Sequence, residues 1–191
     1  MRLLIMGPPG SGKGTQAVHI ARELAIPAIS TGDIFRANVA EGTKLGRIAR
    51  EYMDAGEYVP DHVTNAMVTG RLAEPDCLSG FLLDGFPRTL DQAEELERIL
   101  GRTGDALDAV VELVVDREVL LERLLERARV QGRTDDTAEV IRRRQELYQE
   151  QTAPLTTYYA ERGLLRHVDG DAAVSEVGLR FFAALSEVAQ R

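Results

Sequence analysis

Leu3-Leu4-Ile5-Met6-Gly7-Pro8-Pro9-Gly10-Ser11-Gly12-Lys13-Gly14-Thr15-Gln16 reads as a buried strand, a glycine loop and the first turn of a helix. The glycines let the chain turn so that successive backbone N–H groups, aided by the positive end of the helix, converge on phosphate oxygens. Lys13 adds a mobile positive charge. Lys13 and Lys44 are the only lysines of the chain, every other basic side chain being arginine, so an ammonium stands where a compact point charge is wanted. The spacing of Gly7, Gly12 and Lys13 satisfies G-x-x-x-x-G-K, but Gly14 stands where the general pattern has the Ser or Thr that ligates Mg²⁺, and Thr15 comes one place later. The stretch predicts a nucleotide-phosphate cradle without naming a reaction; the alternative is a glycine-rich turn with no ligand.

Outward from this loop, 191 residues at 44% hydrophobic composition suit one compact core carrying small inserted lobes. A net charge of −8 opposes binding to nucleic acid or to an anionic membrane surface, so an anionic ligand must meet a local cluster of arginines. The single cysteine, Cys77, excludes an intramolecular disulfide and a multi-cysteine zinc site. With no signal-like start and no apolar stretch of membrane-spanning length, the expectation is a cytoplasmic protein.

Short apolar runs alternate with longer helical patterns, which predicts an α/β fold with a mainly parallel sheet. Strands are expected at Leu3 to Met6, Ala28 to Ile29, Phe81 to Leu83, Ala109 to Val115 and Leu164 to Val168. Helices are expected near Lys13 to Leu24, Asp61 to Leu72, Leu90 to Leu100, Arg117 to Ala128, Thr137 to Ala160 and Val174 to Gln190. Two stretches look inserted: residues 30–59, short amphipathic helices ending at Gly56 and restarting at Pro60-Asp61 with Asp61 as N-cap, and residues 126–136, a polar flap or plain surface loop.

Phe81-Leu82-Leu83-Asp84 is an apolar strand ending in a carboxylate, placed to hold Mg²⁺ or its waters beside the phosphate loop. After Gly85-Phe86-Pro87-Arg88-Thr89, the next helix has Leu90, Ala93, Leu96 and Leu100 as its buried stripe, with Gln92 off it. Arg88 and Gln92 offer a guanidinium to phosphate and an amide to a base edge, or form an ordinary exposed helix start. Asp33 follows Ser30 as in a capping box, and Arg36 either pairs with Asp33 or reaches a ligand phosphate. Leu120, Leu121, Leu124, Leu125 and Ala128 form one stripe, leaving Arg123 and Arg127 on the other face beside Glu122 and Glu126, as on a solvated helix face. Arg144 shares the face of Val140, Ile141, Tyr148 and Leu155, where a guanidinium requires an anion: a ligand phosphate, or a buried acidic partner.

Taken together, the residues resemble the nucleoside monophosphate kinases, and within them the adenylate kinases in a short-lid form. The resemblance is carried by Gly7 to Gln16, Thr31-Gly32-Asp33-Ile34-Phe35-Arg36, Gly56-Glu57-Tyr58-Val59-Pro60, Asp84-Gly85-Phe86-Pro87-Arg88 and Gln92, and spans essentially the whole chain. Gly14-Thr15 is usual in that family. The resemblance implies a P-loop three-layer α/β fold with a central parallel sheet, a helical nucleoside-monophosphate-binding lobe at 30–59 and a short lid at 126–136. It implies reversible transfer of the γ-phosphoryl group of Mg-ATP to AMP, giving two ADP, by a monomer. By that likeness Gly10, Ser11, Gly12, Lys13, Gly14 and Thr15 hold the ATP phosphates, Arg123 and Arg127 hold the adenine side and phosphates under the closing flap, and the main chain at Ala172 meets the adenine. Thr31, Arg36, Glu57, Tyr58, Val59, Gly85, Phe86, Pro87, Arg88 and Gln92 hold AMP, Arg133 and Arg144 bridge the nucleotides, and Lys13, Arg88, Arg133 and Arg144 act in catalysis. Asp84 acts through Mg²⁺ waters. The cysteine-free flap excludes structural zinc. A UMP/CMP kinase of the same fold and a non-catalytic nucleotide switch are the competing readings; Gln92 favours adenine over the first, and the absence of an Asn-Lys-x-Asp guanine motif weakens the second.

Overall fold

The computed structural model describes residues 1–116, 118–120, 122–124, 126 and 137–186. The apolar runs build β1 (Arg2–Met6), β2 (Ala28–Ser30), β3 (Phe81–Asp84), β4 (Ala109–Val114) and β5 (Leu165–Asp169). They pair into one parallel sheet in the order β2-β3-β1-β4-β5. Leu3 and Ile5 turn to one face, against Ala17, Ile20 and Phe181, while Leu4 and Met6 turn to the other, against Ala93, Leu96 and Tyr159. Burial on both faces is why these strands read as unbroken apolar runs instead of alternating ones.

Helices α1 (Lys13–Glu23), α2 (Thr31–Glu41), α3 (Lys44–Ala55), α4 (Asp61–Leu72), α5 (Leu90–Gly101), α6 (Ala138–Leu147), α7 (Pro154–Glu161) and α8 (Val174–Ser186) flank or extend the sheet, with a 3₁₀ turn at Pro75–Cys77 and further helical residues at 118–120, 122–124 and 126. Because β2 and β3 lie on one side of β1 and β4 and β5 on the other, the loop after β1 stands at the middle of the sheet's C-terminal edge. That edge is where open parallel sheets bind ligands. The register sets Ile5 and Ser30 opposite Asp84, which brings the ends of three strands to one place.

Helices α2 and α3 pack on each other over a small core of Phe35, Ala49 and Val59. Their contact requires Gly46: a Cβ there would stand 2.0 Å from the Asn38 carbonyl oxygen and 2.3 Å from its carbon. Gly46→Ala must push the helices apart and is expected to destabilise the protein by about 2 kcal/mol or more. Denaturant titration followed by circular dichroism checks this, and an unchanged midpoint would contradict it.

Three local expectations are corrected. The helix expected over 137–160 is divided: α6 passes into a π-turn at Tyr148–Thr152 before α7 begins at Pro154. Pro154 has no N–H to donate, and the Ala153 N–H reaches back to the Tyr148 carbonyl at 2.7 Å, five residues earlier. In α5 the buried face is Gln92, Ala93, Leu96 and Leu100, with Leu90 48% exposed and Gln92 only 1%. Periodicity assigns Leu90 inward because it is apolar, whereas the helix phase turns that position to solvent. Pro60, not Asp61, occupies the N-cap of α4, and Asp61 lies in the first turn with its carboxylate used elsewhere. The Ser30 cap of α2 is as expected, its hydroxyl accepting from the Asp33 N–H. No helix among the described residues is long and apolar enough to cross a membrane.

Candidate active site

At the C-terminal edge lies a cleft of about 1050 Å³. This is at the upper end of the roughly 300–1,000 Å³ usual for one small-molecule site. Its first wall is the glycine loop. Gly10 has φ +88°, and a Cβ there would meet the Leu120 carbonyl oxygen at 2.8 Å and Leu124 Cγ at 2.9 Å, so a side chain is excluded both by conformation and by space. Gly12, left-handed at φ 89°, caps α1 and turns its first N–H groups to the cleft. The Lys13 ammonium lies back over the loop, donating to the carbonyls of Gly7 at 2.6 Å and Pro8 at 2.9 Å. Gln16 is buried, and its Nε2 donates to the Val174 carbonyl at 2.8 Å, tying α1 to α8.

The opposite wall comes from α2, the 57–59 segment and the turn after β3. The Thr31 hydroxyl donates to the Gly85 carbonyl at 2.9 Å, and Arg88 Nε donates to the same oxygen at 2.9 Å. Arg36 pairs with Asp33 and lines the cleft. Glu57, Tyr58 and Val59 line the cleft, with the Glu57 carboxylate accepting from Arg143 Nε at 2.7 Å. Thr31, Gly85, Pro87, Arg88 and Gln92 are brought to the same space. The Phe86 side chain instead enters the main core, 2% exposed.

Arg144 of α6 reaches this cleft as its helical phase indicates, and its Nη2 donates to the Met53 carbonyl at 3.4 Å. Arg123 donates through Nη2 to the Gly170 carbonyl at 3.0 Å and lines the end of the cleft beside Ala172. The solvated-face reading of Arg123 therefore does not describe its position. Arg127 and Arg133 lie outside the described residues.

Two ionisable groups of the cleft, Arg88 and Asp84, are shifted mainly by burial. Burial lowers the Arg88 pKa from its ordinary value, and the positive charges of Arg144 and Arg36 push it the same way, against Tyr58 and Asp84. Burial raises the Asp84 carboxyl, against the opposing pull of Lys13, Arg88 and Arg36. A carboxyl raised on folding favours the folded state most below the ordinary carboxylate range, and that contribution is lost as pH rises through the folded pKa. Asp84→Asn is therefore expected to raise Tm at neutral pH, with the gain shrinking to nothing in acid. Melting curves across pH check this; a lowered Tm at neutral pH would contradict it.

Two arrangements were not legible in the sequence. Thr152, in the π-turn, donates to the Arg88 carbonyl at 2.9 Å and lies 2.9 Å from the Tyr58 hydroxyl, whose ring faces the Arg88 guanidinium at 4.9 Å. With the Thr152 proton on Arg88, Tyr58 is the donor of that pair. Asp61 accepts from the Thr89 hydroxyl at 2.8 Å and from Gln92 Nε2 at 2.6 Å. Only the Pro154 in the first case gave any sequence signal.

A parallel sheet in this order, with a lysine-bearing glycine loop at its middle and a second arginine-lined wall across one cleft, defines a P-loop nucleotide-binding protein of the kinase class. The adenylate kinase family profile matches residues 5–164. The chain is 62% identical over 188 residues to an adenylate kinase of Nocardioides sp., covering 98% of both chains. It is 56% identical over 185 residues to the adenylate kinase of Thermobifida fusca, covering 97% of this chain and 98% of that one. The adenylate kinase of Leifsonia xyli subsp. xyli is 57% identical over 185 residues, with 97% and 93% covered. The chain belongs to the adenylate kinase family.

Proposed function

We infer that the protein transfers the γ-phosphoryl group of ATP reversibly to AMP, giving two ADP. The observation that carries the reading is that the glycine loop with Lys13 and the Arg36–Arg88–Arg144 set face each other across one cleft, with Asp84 between them. In-line phosphoryl transfer asks a protein for positioning and for positive charge around the equatorial oxygens, with no covalent nucleophile. The loop Gly10 to Thr15 would hold the donor phosphates, and Arg123 and Ala172 would flank its base. Thr31, Arg36, the 57–59 segment, Gly85 to Arg88 and Gln92 would hold the acceptor. Residues 30–59 would act as the monophosphate lobe and 126–136, with Arg133, as a lid that excludes water from the transfer.

The donor set fits a nucleotide-borne Mg²⁺. Asp84 Oδ2 lies 3.5 Å from where a Gly14 Cβ would stand, so its carboxylate overlooks the start of α1, and Gly14 supplies no hydroxyl ligand. No cluster of three or more His, Cys, Asp or Glu that could hold a metal occurs among the described residues. Phosphate oxygens and water would carry the ion, with Asp84 accepting from its waters. When bound, Mg²⁺ would offset the negative charge of the phosphates. The reading includes a monomer acting in the cytoplasm.

The test is steady-state ADP formation from ATP against a panel of nucleoside monophosphates, with AMP expected to be preferred. A preference for UMP or CMP would replace the acceptor, and one nucleotide bound per chain at saturation would indicate a switch.

A further inference from the structure

We propose that Asp61 is a specificity-positioning residue: it locks the Gln92 side-chain amide in one orientation, so that the acceptor site distinguishes a 6-aminopurine monophosphate from a 6-oxopurine one. The inference rests on the AMP-acceptor reading above.

The lock is visible in four hydrogen bonds. Gln92 Oε1 accepts from the Arg88 backbone N–H at 2.8 Å, and Gln92 Nε2 donates to Asp61 Oδ1 at 2.6 Å. Asp61 is itself held, its Oδ2 accepting from the Thr89 hydroxyl at 2.8 Å, and that hydroxyl oxygen accepts from the Gln92 backbone N–H at 3.2 Å. A backbone N–H can only donate and an ionised carboxylate can only accept. Turning the amide by 180° would set NH₂ against N–H and carbonyl oxygen against carboxylate, with both contacts repulsive in a residue that is 1% exposed. The orientation therefore follows from the chemistry of its partners.

Each end of the amide has one bonding position left, a second N–H on Nε2 and a second lone pair on Oε1, and Gln92 lines the cleft. The ligand is thus offered a donor and an acceptor in fixed order. The purine 6-position is a donor in adenine and an acceptor in hypoxanthine or guanine. An amide free to turn serves either base, whereas a locked one serves only one. Gln92 supplies the hydrogen-bonding groups, and the Arg88 N–H and Asp61 together supply their order.

The experiment compares kcat/KM for AMP and for inosine monophosphate in the wild type, Asp61→Asn and Asp61→Ser, with melting curves for each. An asparagine amide in place of the carboxylate can donate as well as accept, so of the two contacts that oppose the turned glutamine only the one with the Arg88 N–H remains. The expected result is that the wild type prefers AMP and that this preference falls roughly tenfold to a hundredfold in Asp61→Asn, the scale on which one well-placed pair discriminates bases. Asp61→Ser, which removes the carboxylate altogether, carries the same expectation and serves where Asp61→Asn fails to fold. In a Gln92→Leu background the Asp61 change should leave the ratio where Gln92→Leu alone puts it. A purely structural role would lower both rates together without moving the ratio. A folded Asp61 variant with the wild-type ratio, or a wild type indifferent to the 6-substituent, overturns the inference and leaves the kinase reading intact. A wild type that makes no ADP from ATP and AMP overturns the reading itself.

Discussion

Arg88→Ala is expected to lower kcat/KM with ATP and AMP by about 10²- to 10³-fold, the scale of removing one preorganised transition-state donor, while leaving the fold in place. The guanidinium is costly to the free protein. Burial, Arg144 and Arg36 all act against its charge, and Tyr58 and Asp84 offset them only in part. Nor does its removal orphan a buried acceptor, because the Gly85 carbonyl that takes Arg88 Nε also takes the Thr31 hydroxyl. The lost contact with the Tyr58 ring is the main structural cost, so Tm should change by only a few degrees. Steady-state rates and a melting curve on the same preparation separate the two effects. Near-normal turnover would remove Arg88 from the charges that meet the transferring group.

If Lys13 meets the transferring phosphoryl group as proposed, Lys13→Met should lower kcat on the order of 10²-fold. Methionine keeps most of the stem length and loses the ammonium. The Pro8 carbonyl retains the Ser11 N–H at 3.1 Å, so the loop keeps its internal turn, while the Gly7 carbonyl loses the Lys13 donor that reaches it at 2.6 Å. Asp84 is affected as well, since Lys13 is the strongest of the charges holding its carboxyl down. The variant should therefore weaken the use of Mg-ATP beyond the loss of one phosphate contact. Rates measured across Mg²⁺ concentration check this, and an unchanged kcat would show that the ammonium serves only to brace the loop.

Much of the fold was legible because its signals are local. Leu3 to Met6 and Phe81 to Leu83 are buried on both sheet faces, and such strands leave unbroken apolar runs. Ser30 caps α2 and α3 ends at Gly56, as capping chemistry within a few residues dictates. Arg144 could be assigned to the cleft from helical phase because Val140, Ile141 and Tyr148 mark the inward side of α6 and the turn that follows it. Where the same reasoning fails, a long-range contact outweighs the local pattern. Gln92 is polar, which by pattern points it outward, yet it is buried because Asp61, 31 residues away, takes its amide hydrogen. Arg123 fits a solvated face by helical phase, yet the Gly170 carbonyl, 47 residues away, accepts from its guanidinium.

The sequence by itself determined the phosphate cradle, the alternation of strands and helices, the need for arginines in a chain of net charge −8, and a carboxylate ending the strand Phe81–Asp84. These follow from backbone conformation, periodicity and charge, which act over a turn of helix or a pair of strand residues. The tertiary structure alone decided that Asp84 meets the start of α1, that Tyr58 and Thr152 hold Arg88, and that Asp61 orients Gln92. Each of these joins residues from different elements. Their meeting depends on the strand order of the sheet and on how the helices pack against it, which no local pattern encodes.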